Sequence, residues 1–92
     1  MEVEGLKEEK KLVIEIKPTD NAPTIPFKVK RDTPFIKIFR AYEAKLGVAK
    51  NTYRFHYDGT RIPDDPQHTP KTLEMKIGKK YDIEAFNEQL GG

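Results

Sequence analysis

The chain has 92 residues, 36% of them hydrophobic, which supports one domain with one modest core. It has no cysteine, excluding a disulfide framework, a thiolate metal site and a cysteine nucleophile, and seventeen basic against fifteen acidic residues leave only +2, too even a balance to mark a nucleic-acid partner. No apolar run reaches the roughly 20 residues of a membrane-spanning helix, and Met1-Glu2-Val3-Glu4 is acidic where a secretory signal is basic and then apolar, so nucleus and cytoplasm are the expected compartments.

Met1 to Lys11 carries four Glu and three Lys around Val3 and Leu6 without a period that could bury a face, which predicts a disordered arm over residues 1–11. Alternation then begins. Leu12, Ile14 and Ile16 oppose Val13, Glu15 and Lys17, the period of a half-buried strand. After the turn residues Pro18 to Pro23, Ile25, Phe27 and Val29 alternate with Pro26, Lys28 and Lys30 and complete a hairpin. Pro26 has no N–H to donate, which assigns this second strand to a sheet edge.

Thr33-Pro34 reads as a helix start, with Thr33 as cap and Pro34 as first helical residue. Phe35, Ile38, Phe39, Tyr42 and Leu46 follow at helical spacing until Gly47. Tyr53, Phe55 and Tyr57 alternate with Arg54 and His56 as a third strand, Asp58-Gly59 is a hairpin turn, and Thr60 to Ile62 returns. Pro63 to Pro70 is a loop, Thr72 to Ile77 a brief turn, and Tyr81 to Phe86 the last strand. The order predicts an α+β domain, with one main helix over a mixed sheet of four to five strands, spanning residues 12–86. Residues 87–92 form a polar tail.

That tail, Asn87-Glu88-Gln89-Leu90-Gly91-Gly92, ends on two glycines, which make a thin peptide able to thread a narrow slot. Taken alone, the dipeptide fits either a loose end or an acyl carrier whose terminal carboxylate an enzyme must reach from both faces.

Several stretches carry a resemblance: Ile25 to Lys30, Tyr53 to Ile62, His68 to Leu73 and Asp82 to Gly92. In order and spacing they resemble the SUMO family of small ubiquitin-like modifiers, over Leu12 to Gly92. The resemblance implies a ubiquitin-like β-grasp in which the first and last strands lie side by side. It also implies a protein tag and not an enzyme: the Gly92 carboxylate is adenylated by an activating enzyme that uses ATP, passed as a thioester to a conjugating enzyme, and joined to a substrate lysine as an isopeptide. The tag itself needs no cofactor. Nucleophilic catalysis there needs activated thiols, which this chain lacks. Gln89 and Leu90 would be read by the activating enzyme and by SUMO-specific proteases. Implied partners also include ligases, substrates with acceptor lysines and proteins with hydrophobic SUMO-interacting motifs, and the protein is expected to be a monomer.

By the same resemblance, a partner motif adds as a strand beside the second strand and packs into a groove formed by Ile25, Phe27, Val29, Ile38 and Tyr42, while Lys28, Lys30 and Lys45 meet its acidic or phosphorylated flanks. Without the resemblance these apolar residues read as core and the lysines as a solvated face. Leu6-Lys7-Glu8-Glu9 matches the family's acceptor pattern, which makes Lys7 a possible site of chain formation on an arm expected to be free. Arg54, Tyr57, Asp58, Gly59 and Arg61 are assigned to a conjugating-enzyme surface; Asp58-Gly59 serves equally as a plain turn.

One departure stands out. Where relatives carry an acidic run that docks on the enzymes, this chain reads Lys76-Ile77-Gly78-Lys79-Lys80, and it has extra residues in Pro63 to Gln67 and Met75 to Lys80. The reversed charge keeps a second reading open, a non-conjugated SUMO-like docking domain of a larger protein. A sulfur carrier shares the fold and the diglycine but not the SUMO-like stretches. His56 and His68 stand apart in sequence and do not suggest catalysis.

Overall fold

Leu12, Ile14 and Ile16 are fully buried along strand β1 (Lys11–Pro18), as their alternation predicts. A computed structural model describes residues 4–87 of the chain. β2 (Ile25–Lys30) pairs antiparallel with β1, placing Leu12 opposite Val29, Ile14 opposite Phe27 and Ile16 opposite Ile25. On the other side β5 (Lys80–Asn87) runs parallel to β1, with Ile16 opposite Ile83. β3 (Tyr53–Tyr57) lies antiparallel to β5, and the two-residue β4 (Thr60–Arg61) closes a hairpin on β3. The sheet order is β2-β1-β5-β3-β4. The chain's last strand thus enters the middle of a mixed five-stranded sheet, the β-grasp arrangement, and β2 is an edge as Pro26 requires.

One face of the sheet is covered by helix α2 (Phe35–Leu46), which buries Phe35, Ile38, Phe39 and Tyr42. Phe39 stacks on Phe55 with ring centroids 3.9 Å apart, and Tyr42 meets Tyr53 edge-on at 5.5 Å. Gly47 ends the helix at φ 72°, a left-handed conformation that a side chain would strain.

Two expectations are corrected. Thr33 is not the cap of α2: Pro34, extended at ψ 134°, occupies the cap position without a side-chain bond, and the Phe35 N–H donates instead to the His68 carbonyl at 2.9 Å. A distant loop satisfies the orphan donor, so no local cap is needed. Nor are residues 1–11 wholly a disordered arm: Glu4–Glu8 forms a helical turn, α1, that packs against β1 and leaves Leu6 5% exposed. A turn this short does not hold by propensity; it forms because the folded domain offers a surface to one leucine.

Candidate functional site

Among the described residues β2 has no strand on its outer side, and the backbone of β1 fixes which of its groups face outward. The Val13 N–H donates to Lys79 O at 2.9 Å and Lys11 O accepts from the Gly78 N–H at 2.8 Å, so these β1 groups point away from β2. Antiparallel pairs alternate between bonded and non-bonded, which makes Lys11 with Lys30, Val13 with Lys28 and Glu15 with Pro26 the non-bonded pairs. The backbones of Pro26, Lys28 and Lys30 therefore face outward. The proline costs the β1–β2 ladder nothing. It does remove one donor from the free edge, and the Lys30 carbonyl is engaged by the Thr33 N–H at 3.1 Å. An added strand is left the Lys28 N–H and C=O, the Lys30 N–H and the Pro26 C=O.

Ile25, Phe27 and Val29 are half-buried on the inner face of β2, packed against the core, while Pro26, Lys28 and Lys30 are exposed. Ile38 and Tyr42 do not line an open groove beside them. Both are buried in the core, and the Tyr42 hydroxyl donates to the Pro23 carbonyl at 3.1 Å. Burial pushes the Tyr42 phenol well above its ordinary pKa. Glu43 and Arg40 turn toward β3. Helical geometry then puts Ala41 and Lys45 on the opposite, β2-facing edge of α2. Ala41 is half-buried and Lys45 exposed. Ala41 escaped the sequence reading although it lies three residues after Ile38 and four before Lys45, the spacing of one helix edge.

The residues assigned to an enzyme-facing surface divide. Tyr57, Asp58 and Arg61 converge with Ile62, His68 and Leu73 around a cavity of about 430 Å³. Asp58 at φ 51° and Gly59 at φ 81° make the tight turn at its rim. Burial raises the Tyr57 phenol pKa. Asp65 Oδ1 lies 2.7 Å from His68 Nδ1 and also accepts the Gln67 and His68 N–H groups. These bonds, the His68 side chain's first, lower the Asp65 pKa. Arg54 stays apart, exposed on the outer face of β3 opposite Phe86. There the His56 ring stands edge-on to Phe86 at 4.8 Å.

The reversed charge is partly answered inside the sheet. Lys80 Nζ lies 3.1 Å from Glu15 Oε2, and Lys17 bridges Glu15 at 3.6 Å and Asp82 at 3.1 Å, forming a ladder of alternating charge across β1 and β5. The bond to Asp82 raises the Lys17 pKa. Lys79 is half-buried and also engaged. Lys7 is exposed on α1, but the segment is not free as expected, because Leu6 beside it is buried and Glu9 meets Lys28 at 3.4 Å. Gln89, Leu90, Gly91 and Gly92 lie outside the described residues.

A two-sided central pairing of β1, one covering helix and an open β2 edge define a ubiquitin-like protein. The fold is similar to that of a Caldiarchaeum subterraneum ubiquitin, with a TM-score of 0.75 at 17% identity, covering 89% of this chain and 99% of that one. Residues 7–85 match the family model described as Ubiquitin-2 like Rad60 SUMO-like. The small ubiquitin-related modifier of Caenorhabditis elegans is 47% identical over 68 residues, 74% of this chain and 70% of that protein. Small ubiquitin-related modifier 2 of Homo sapiens is 34% identical over 90 residues, 97% of this chain and 90% of that protein. The chain belongs to the SUMO family.

Proposed function

We propose that the protein is a SUMO-like modifier joined through the Gly92 carboxylate to lysines of substrate proteins in the nucleus and cytoplasm. The observation that carries this is the sequence Glu88-Gln89-Leu90-Gly91-Gly92, which follows β5, the central strand of a SUMO-like domain. Two successive glycines carry no side chain, which suits a peptide that an enzyme must admit through a narrow slot. The chain contributes the carboxyl carbon, and thiols of the activating and conjugating enzymes do the chemistry. Noncovalent recognition uses the β2 edge: a hydrophobic motif adds as a strand on the Lys28 and Lys30 backbone, packs on Ile25, Phe27, Val29 and Ala41, and meets Lys28, Lys30 and Lys45 with its acids.

Incubation with ATP and the SUMO activating and conjugating enzymes tests the reading. A thioester band on the enzymes that reducing agent removes, and that Gly92→Pro does not form, is expected; its absence with cognate enzymes counts against conjugation. The basic pair Lys79 and Lys80 favours the second reading, a SUMO-like docking domain that binds motifs at β2 and is never conjugated. Such a domain would bind a motif peptide and form no thioester.

A further inference from the structure

The acceptor-like stretch Leu6-Lys7-Glu8-Glu9 is held closed. Leu6 is 5% exposed. The aliphatic stem of Lys7 lies on Gly78: a Cβ built there would collide with Lys7 Cγ and crowd Lys7 Cε at 3.1 Å. Gly78 is itself buried, sits at φ 83°, and donates its N–H to Lys11 O at 2.8 Å, so the surface beneath Lys7 is pinned to the start of β1. The Glu9 N–H donates to Gly5 O and the Lys10 N–H to Lys7 O, both at 3.1 Å, and Lys10 at φ 58° turns the chain into β1. Outside the turn, the Glu9 carboxylate meets Lys28 Nζ at 3.4 Å, on the strand whose edge is open.

We infer that α1 is an autoinhibitory latch: docked, it withholds Lys7 from acyl transfer, and an acidic ligand at the β2 edge that takes Lys28 from Glu9 releases it. The inference rests on the proposed modifier reading. A lysine that enters another protein's active site must come with its neighbours in an accessible segment, whereas here Leu6 points into the domain and the backbone is coiled. Burying one leucine favours the docked state by roughly ten- to a hundredfold. The Glu9–Lys28 pair is exposed and adds only about two- to fivefold, which is a range that a competing carboxylate can reverse. Once open, Lys7 gives one ammonium proton to water and its lone pair attacks the carbonyl carbon of the thioester carried by the conjugating enzyme. The C–N bond forms, the C–S bond breaks with its electron pair leaving as cysteine thiolate, and the nitrogen sheds its second proton to solvent.

The test uses the full chain, with amide hydrogen exchange at Glu9 and Lys10 and mass-spectrometric mapping of conjugates as readouts. Lys28→Glu replaces the ion pair with repulsion. Gly78→Ala pushes on the Lys7 stem. Neither changes the sequence of the acceptor stretch, and unchanged exchange at Leu12 reports an intact sheet. Expected are a rise of about two- to fivefold in both exchange and Lys7 conjugation for Lys28→Glu, and a larger rise of both for Gly78→Ala. A peptide with a hydrophobic run flanked by Asp or Glu should produce the same rise in the wild type and none in Lys28→Glu. Exchange at Glu9 and Lys10 as fast as in an unstructured peptide overturns the latch, as does faster exchange in the variants with the Lys7 share of conjugates unchanged. Absence of any reducible thioester overturns the modifier reading and the latch with it, so the thioester band tells the two failures apart.

Discussion

Glu43 Oε2 accepts the backbone N–H of Tyr53 at 3.2 Å while Arg40 Nη1 holds Glu43 Oε1 at 3.0 Å, so a carboxylate only 1% exposed ties the middle of α2 to the first residue of β3. Arg40 also reaches Asn51 at 2.9 Å and Asp64 at 3.1 Å. Truncation at Glu43 strands a buried N–H and takes one of three partners from a partly buried guanidinium. Glu43→Ala should therefore destabilise the domain by about 2–3 kcal/mol and Glu43→Gln, which retains an acceptor for Tyr53, by about 1 kcal/mol. Urea midpoints at neutral pH measure both; equal losses would show that the charge, and not the bond to Tyr53, matters.

The reason Glu43 escaped the sequence is general to this fold. Alternation in Leu12 to Ile16 and Tyr53 to Tyr57 exposes strand faces directly, and Pro26 marks an edge through its missing donor, because those signals are local. Glu43 looks like an ordinary helix-surface acid until β3 is placed beside it. Tyr42 shows the same limit from the other side: helical spacing assigns it to the apolar face but cannot say that its ring sinks fully into the core, closed off by the bond to Pro23. Lys80 meets Glu15 only because β5 enters parallel to β1, a pairing 65 residues apart along the chain for the Lys17 to Asp82 contact. Leu6 has no periodic neighbours to announce its burial.

Asp20 joins three elements and contributes stability that is lost in acid. Its carboxylate accepts from the Ala22 N–H at 3.0 Å, the Tyr53 hydroxyl at 2.8 Å and the Asn87 amide at 3.1 Å. The Ala22 bond, then those of Tyr53 and Asn87, hold its pKa below the ordinary value against the opposing effect of burial. A depressed folded pKa gives stability that is present above the unfolded value, about 3.9, and is lost as pH falls through the folded one. Asp20→Asn should lower the urea midpoint at pH 7 and flatten its decline below about pH 4. A variant with the wild-type slope would exclude Asp20 as the source.

The partner of that bond contributes on the alkaline side. Burial first, and then the bond to Asp20, raise the Tyr53 phenol to about 12. A raised folded pKa gives stability fully present below the unfolded value, about 10, and lost as pH rises through the folded one. Tyr53→Phe should cost stability at pH 7 by removing the hydroxyl and yet lose less on going from about pH 9 to 12. Absorbance of tyrosinate near 295 nm, followed with the urea midpoint, separates Tyr53 ionisation from global unfolding.

At the β2 edge, Pro26 withholds a donor at an outward-facing position. Pro26→His restores the N–H without disturbing the β1 ladder, since the pair with Glu15 is non-bonded. One added backbone hydrogen bond is worth about 0.5–1.5 kcal/mol, so affinity for a hydrophobic-acidic motif peptide should rise about two- to tenfold by calorimetry. Unchanged affinity would mean that the incoming strand takes no bond at this position and that side chains on Phe27 and Val29 carry the docking.

On the proposed modifier reading, Lys79 and Lys80 set stability against enzyme choice. Lys80 completes the ladder with Glu15, Lys17 and Asp82, and replacing it by an acid puts like charges beside Glu15. Lys80→Glu should therefore destabilise the domain by about 0.5–1 kcal/mol, an effect that about 1 M salt largely removes. If enzymes adapted to acidic relatives reject this chain by charge, Lys79→Glu with Lys80→Glu should speed thioester formation with those enzymes about tenfold or more despite the lost stability, because like-charge juxtaposition at an interface costs several kcal/mol. A double variant that is less stable and no faster would place the discrimination elsewhere, on the separate surface of Tyr57, Asp58 and Arg61.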